Sequence, residues 1–181
     1  MALSPDEGTV DHNQYTSDYF AFTYLFPEQF EVMEDLMEGE EDEAKQAFVL
    51  LAAYAPPAED GNRQGIVIFA DKLDQAGHEA GNPSGYFAKL TGLLEKDGAK
   101  LVVANQEYTF AGKRFMRANL RRPGEGEGIQ AILVTLDRGY ALGFQFVGPT
   151  EAEIDSLIDS LNTLKFISPN AGAHGPGKPK Q

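Results

Sequence analysis

The sequence of 181 residues predicts a single α/β domain, a three-layer α/β/α sandwich around a mainly antiparallel sheet. Three observations lead there. Four strand patterns between Lys100 and Val147 follow one another with short turns between them, and consecutive hairpins force antiparallel pairing. The last two of these strands are apolar on both faces, so each face needs a covering layer. Two amphipathic helix patterns, one beginning near Pro83 and one near Glu151, supply that cover.

The elements can be justified in chain order. In "DYFAFTYLFPEQF", residues 18–30, six of the chain's 19 aromatic residues are concentrated. Phe20, Phe22, Tyr24 and Phe26 alternate with Tyr19, Ala21, Thr23 and Leu25, a period of two with both sides mostly apolar. That pattern predicts a strand covered on both faces and ended by Pro27, which cannot donate to a ladder. A stacking platform for a ligand is the other reading, but such a surface normally sits beside basic residues. Residues 33–46 predict a helix anchored by Leu36 and Met37 and weakened by Gly39. "AFVLLAAY" (47–54) and "GIVIFA" (65–70) read as buried strands, with Pro56-Pro57 and "AEDGNRQ" between them.

The next helix has Asn82 to cap it and Pro83 for its first position. Tyr86, Leu90, Leu93 and Leu94 fall on one predicted face, and Asp97-Gly98 closes the element. Strands are then expected over 100–110, 113–120, 128–136 and 139–147. Ala111-Gly112 gives a tight turn, and Asp137-Arg138-Gly139 a three-residue loop. The final helix, about 151–162, has Thr150 and Glu153 at capping-box spacing and a buried stripe of Ile154, Leu157, Ile158 and Leu161. Leu164 and Phe166 pin its exit. The expected organisation is a flexible segment over 1–13, one α/β domain over 14–167, and a disordered tail over 168–181, where "SPNAGAHGPGKPKQ" has almost nothing to bury.

The two ends of the chain carry a resemblance. "YTSDYFAFTYLFPEQF" near the start and "GYALGFQFVGPTEAEIDSLIDSLNTLKF" near the end resemble the PsbP/Mog1-like superfamily. Phe22, Tyr24 and Pro27 match its opening segment, with Phe30 where tryptophan is common, and Ser160 and Phe166 match its closing segment. The match covers core and turn positions at the two ends, and the middle agrees in element order. The resemblance implies the same sandwich and a non-enzymatic binding or accessory domain, often outside the cytoplasm. It brings no catalytic motif, and fold does not fix function.

Composition narrows the chemistry. The formal net charge of −13 lacks the positive footprint of a nucleic-acid binder. With no cysteine there is no disulfide and no thiolate. No apolar run approaches the roughly 20 residues of a membrane-spanning helix, and the start has no basic-then-apolar pattern of a signal peptide. A leader already removed would leave the same appearance, so the compartment stays open between export to the periplasm or cell surface and the cytoplasm. Of the three histidines, His12, His78 and His174, no two have helical metal-site spacing. No phosphate loop, nucleophile elbow or other catalytic, metal or cofactor motif is present. The acidic run over 31–43 lacks the order of a calcium loop and reads as a solvated face.

One charge pattern suggests a contact surface. "GKRFMRANLRRPG" holds five of the 15 lysines and arginines. On a strand, Lys113, Arg117 and Arg121 project from one face, opposite Met116, Ala118 and Leu120. Such a ladder suits an acidic protein patch or an anionic small ligand. An edge strand protected by charge, or pairing with the chain's own acidic run, is the plainer explanation, since charged edge strands are routine. The expected function is therefore a non-catalytic binding or accessory domain. Two alternatives stand beside it: a carrier with an apolar cavity in a START-like or cystatin-like fold, and a hydrolase using His78.

Overall fold

The structure is a computed structural model that describes residues 3–38, 46–74, 82–121 and 128–167. Its centre is a seven-stranded antiparallel sheet. It is formed by β4 (Glu31–Val32), β5 (Ala47–Tyr54), β6 (Gly65–Lys72), β7 (Lys100–Phe110), β8 (Lys113–Arg121), β9 (Ile129–Asp137) and β10 (Tyr140–Gly148). The spatial order is β4-β5-β6-β10-β9-β8-β7. A second, four-stranded sheet of order β1-β2-β3-β11 is built from the chain ends: β1 (Gly8–Asp11), β2 (Gln14–Ser17), β3 (Phe22–Leu25) and β11 (Lys165–Phe166). The helices are α1 (Glu34–Met37), α2 (Ser84–Lys96) and α3 (Glu151–Asp159), the last continuing as a 3₁₀ turn over Ser160–Thr163.

The period-two pattern decides the layers. Odd positions of β9 (Ala131, Leu133) and even positions of β10 (Leu142, Phe144, Phe146) join Phe115, the aromatic N-terminal segment and α3 in one core. Their neighbours on the other face (Ile132, Val134, Ala141) join Ala118, Leu120 and Phe87 of α2 in a second. The predicted α/β/α sandwich stands, with one outer layer shared between α3 and the small sheet. β10 is the middle strand of the large sheet, as its two apolar faces require.

Both late hairpins turn on two residues. Phe110 pairs with Lys113 and Asp137 with Tyr140, so the loops are Ala111-Gly112 and Arg138-Gly139. All four loop residues have positive φ, between 49° and 82°. That is the type I′ geometry whose twist matches the strands, and glycine takes the second position at no steric cost. The second loop is thus one residue shorter than expected, because Asp137 still pairs within the ladder.

The N-terminal aromatic segment differs from the expected strand. Residues 18–21 form a turn, with Ala21 at φ 53° and Ser17 Oγ accepting from the Phe20 amide at 3.2 Å. Only Phe22–Leu25 is strand, and it is covered on one face: Phe22 and Tyr24 are fully buried, while Leu25 is 39% exposed. The aromatic residues are core nonetheless. Phe22 meets the rings of Tyr15, Phe144 and Phe166 at centroid distances of 5.8, 6.1 and 5.7 Å. The segment 1–13, expected to be flexible, carries β1, which pairs with β2 through a His12-Asn13 loop.

Helix α2 is rotated from the expected phase. Phe87 and Thr91 are its buried residues, Tyr86, Leu90 and Leu94 flank them, and Leu93 is 52% exposed. Thr91 can lie at the centre because its hydroxyl donates to the Phe87 carbonyl at 3.0 Å. α3 keeps its expected stripe and its capping box, in which the Glu153 amide donates to Thr150 Oγ1 at 3.3 Å. Of the helix expected over 33–46, α1 covers Glu34–Met37. Residues 39–45, which hold half of the acids of the 31–43 run, lie outside the described residues, as do His78, His174 and the tail over 168–181.

Candidate functional site

The residues that carried the resemblance at the two ends of the sequence meet in space. β11 pairs with β3, placing Phe166 beside Phe22, and Tyr24 Oη shares a hydrogen bond with Ser160 Oγ at 2.6 Å. Ser160 in turn donates to the Leu157 carbonyl at 2.5 Å. Burial holds the Tyr24 phenol neutral well above its usual titration range. This cluster closes the chain ends on each other and is structural.

The basic strand is β8, and the structure corrects its expected exposure. Lys113, Arg117 and Arg121 do share one face by strand parity, but β8 lies between β7 and β9 rather than at an edge, and that face looks toward α3. Arg117 is only 8% exposed. Its Nε donates to Asn119 Oδ1 at 3.0 Å and its Nη2 to Asp155 Oδ1 of α3 at 2.8 Å. Its guanidinium also lies 5.6 Å from the Tyr108 ring centroid. Lys113 pairs with Asp137 at 3.0 Å and stands over the Phe166 ring. Arg121 is exposed at the strand end. Arg117 therefore joins sheet to helix instead of facing a partner. Arg114, on the other face, donates to both carboxylate oxygens of Glu107, and its guanidinium holds that acid below its usual range.

A different set of residues surrounds a polar cleft. β6 begins, β9 begins and β10 ends at one end of the large sheet, and there a cleft of about 390 Å³ opens. Asn62, Arg63, Gln130 and Gln145 line it, together with Ile129 and Val147. Gln130 stands opposite Val147 and Gln145 opposite Ile132. The two glutamines are thus diagonal neighbours on one face, a separation of roughly 7–8 Å in an antiparallel pair. Gln130 is 6% exposed. Among the described residues neither amide side chain has a hydrogen-bond partner.

The turn before β6 fixes the cation. Asp60 accepts from the Asn62 backbone amide at 3.0 Å and from its side-chain amide at 2.9 Å, which lowers the Asp60 pKa. This ties up both Asn62 and Asp60. Arg63 then lays its guanidinium 4.7 Å from the Tyr54 ring centroid. The ring can lie there because Gly65 faces it: a Cβ at that position would stand 2.3 Å from ring atoms. Arg63 Nη2 reaches Met33 Sδ at 3.8 Å, a weak acceptor, and its buried Nε has no partner among the described residues. Glu153 lines an adjoining hollow with Arg63, but it is taken by Gln64 at 3.0 Å and Thr150 at 2.9 Å. Among the described residues the cleft therefore presents one guanidinium with no carboxylate partner and two amides with no hydrogen-bond partner.

A second groove, about 520 Å³, lies between α2 and the end of β6. Leu73, Tyr86, Leu90 and the exposed Leu93 line it, and Tyr86 donates to the Asp71 carboxylate in its wall. Residues 75–81, which join its lining residues Asp74 and Asn82, lie outside the described residues. Among the described residues no cluster of three or more His, Cys, Asp or Glu could hold a metal ion. None of their helices is long and apolar enough to cross a membrane.

The sequence reading missed Arg63, Gln130 and Gln145. The signal for the glutamines was present: each is a lone amide inside an otherwise apolar strand, "IQAILVTL" and "YALGFQFV". Arg63 gave none, since a single arginine in a polar loop is commonplace.

No protein-family model matches the sequence, and no curated protein does. Solved structures are similar. PsbP (CyanoP) from Synechocystis sp. PCC 6803 superposes with a TM-score of 0.57 at 13% identity, over 91% of this chain and 99% of that one. LpqN of Mycobacterium tuberculosis, described as involved in cell envelope biogenesis, gives 0.50 at 13% identity, over 80% of this chain and 82% of that one. The Saccharomyces cerevisiae Ran-binding protein Mog1p gives 0.47 at 12% identity, over 88% and 86%. The match to PsbP along nearly the whole of both chains shows the fold: this chain is an α/β sandwich with the PsbP-like fold.

Proposed function

We propose that the chain is a non-catalytic binding domain and that the cleft of Arg63, Gln130 and Gln145 receives its ligand. One observation carries this reading. Arg63 lines the cleft, and its Nε is buried without a hydrogen-bond partner among the described residues. A buried donor left unpaired costs about 1–3 kcal/mol, and buried polar groups without partners are rare in folded proteins. A ligand that pairs with the guanidinium recovers that cost on binding, and the Gln130 and Gln145 amides line the same cleft. The cleft's size lies within the range of small-molecule sites.

The test is a fragment titration followed by ¹⁵N-resolved spectra of the full chain. Shifts concentrated on the side-chain amides of Gln130 and Gln145 and on the neighbouring backbone support the reading. Fragments that bind only in the groove between α2 and β6, or only near Arg121, overturn it in favour of those surfaces.

A further inference from the structure

The ligand class can be read from the charges around the cleft; this step rests on the cleft reading above. We propose that the cleft takes a monocarboxylate with an amide adjoining it, the chemistry of an N-acylated amino acid or of a peptide's C-terminal residue.

In a chain of net charge −13, carboxylates are plentiful, yet among the described residues none pairs with the Arg63 guanidinium. The two acids that line the adjoining hollow with it, Asp60 and Glu153, are committed to Asn62, Gln64 and Thr150. Its contacts are a thioether at 3.8 Å and a tyrosine face at 4.7 Å, and its Nε is buried without a partner. The stack on Tyr54 pre-orders the guanidinium, and a planar donor fork held in place matches a carboxylate with two parallel bonds. One cation balances one negative charge. A phosphate dianion would meet a single guanidinium on a strongly acidic protein, a poor electrostatic match.

The glutamines set the rest. Each amide offers both a donor and an acceptor, so two of them, diagonal on one sheet face, complement a group that also offers both. An amide does so, whereas an ether or a hydrocarbon does not. Gln130 and Gln145 lie on β9 and β10 while Arg63 precedes β6, beyond β10 in the sheet. The ligand therefore spans from a carboxylate at Arg63 to an amide at the glutamines.

The experiment titrates the full chain with four probes: N-acetylglycine, N-acetylglycinamide, an acetylated alanine tripeptide with a free C-terminus, and inorganic phosphate. The readouts are the side-chain amide signals of Gln130 and Gln145 and the Arg63 Nε–H signal. N-acetylglycine is expected to shift all three saturably. N-acetylglycinamide, which lacks the charge, is expected to bind about tenfold more weakly or worse, the loss for a charge-assisted bond. Arg63→Gln should weaken N-acetylglycine by a similar factor, and Gln130→Leu should weaken it as well. Wild-type titrations decide the matter even if a variant does not fold. Equal binding of N-acetylglycinamide, or tighter binding of phosphate, overturns the carboxylate class and leaves the cleft reading intact. Silence of all three signals with every probe overturns the ligand class; the cleft itself fails only if the fragment titration is silent there too. If the tripeptide binds more tightly than N-acetylglycine the source is a peptide end, and if less tightly, a free small acid.

Discussion

Replacing Arg117 by serine separates a structural arginine from an exposed one. On a solvent-facing ladder the change would stay within about 0.5 kcal/mol. In the structure it removes three contacts. Asn119, 4% exposed, loses the donor to its Oδ1, and leaving that buried acceptor unpaired costs about 1–3 kcal/mol. The pair with Asp155 adds about 0–1 kcal/mol, because the Asp155 side chain is 64% exposed and well screened. The contact with the Tyr108 ring adds about 0.5–1 kcal/mol. The expected total is about 1.5–5 kcal/mol. Urea denaturation reads it as a midpoint lowered by about 0.8–2.5 M if m is about 2 kcal/mol/M, with the slope unchanged. Asp155→Ser provides the contrast. It leaves the Arg117–Asn119 bond in place and should cost about 1 kcal/mol. The reasoning is refuted if Arg117→Ser costs under about 0.5 kcal/mol, or if Asp155→Ser costs as much as Arg117→Ser.

Three further outcomes follow from the same structure. Phe22→Ala should destabilise by about 3–5 kcal/mol, since it opens a cavity among Tyr15, Phe144 and Phe166; a midpoint shift in urea checks this, and a small one would return the segment to the surface. Gly65→Ala should displace the Tyr54 ring and with it the Arg63 stack, because the new Cβ would stand 2.3 Å from ring atoms; a changed Arg63 Nε–H signal in an otherwise native spectrum is the expected readout. Burial raises the phenol pKa values of Tyr15, Tyr24 and Tyr86, the last also through Asp71. A raised folded-state pKa means stability that is complete below about pH 10, where unfolded tyrosine titrates, and that falls as pH climbs above it. The slope is about 1.4 kcal/mol per pH unit for each phenol, so the urea midpoint should drop above pH 10, and Tyr24→Phe should flatten that drop.

Several elements were legible in the sequence because their causes are local. The bounds of β5 and β7 and the cap of α3 follow from residues within a few positions of one another. Alternation separated Ile132 and Val134 from Ala131 and Leu133, and the two central strands showed themselves as apolar on both faces. The turn over residues 18–21 hid inside that same alternation, because Phe20 of the turn is as buried as Phe22 and Tyr24 of the strand. Phase failed at α2 for a related reason: a threonine with its hydroxyl bonded to its own helix can sit at the centre of a face, displacing Leu93 to solvent.

What the chain determined by itself was which segments become strands and helices and which faces are apolar, since periodicity and turn chemistry act over a few residues. Only the tertiary structure decided which of its charges and amides have partners. Arg117 meets Asp155 across 38 residues of sequence, so its apparent exposure vanished once α3 packed on the sheet. Arg63, Gln130 and Gln145 come from three separate segments and meet because β6, β10 and β9 are neighbours in the sheet. Satisfaction of a polar group depends on everything that surrounds it in space, and that is information no local stretch of sequence contains.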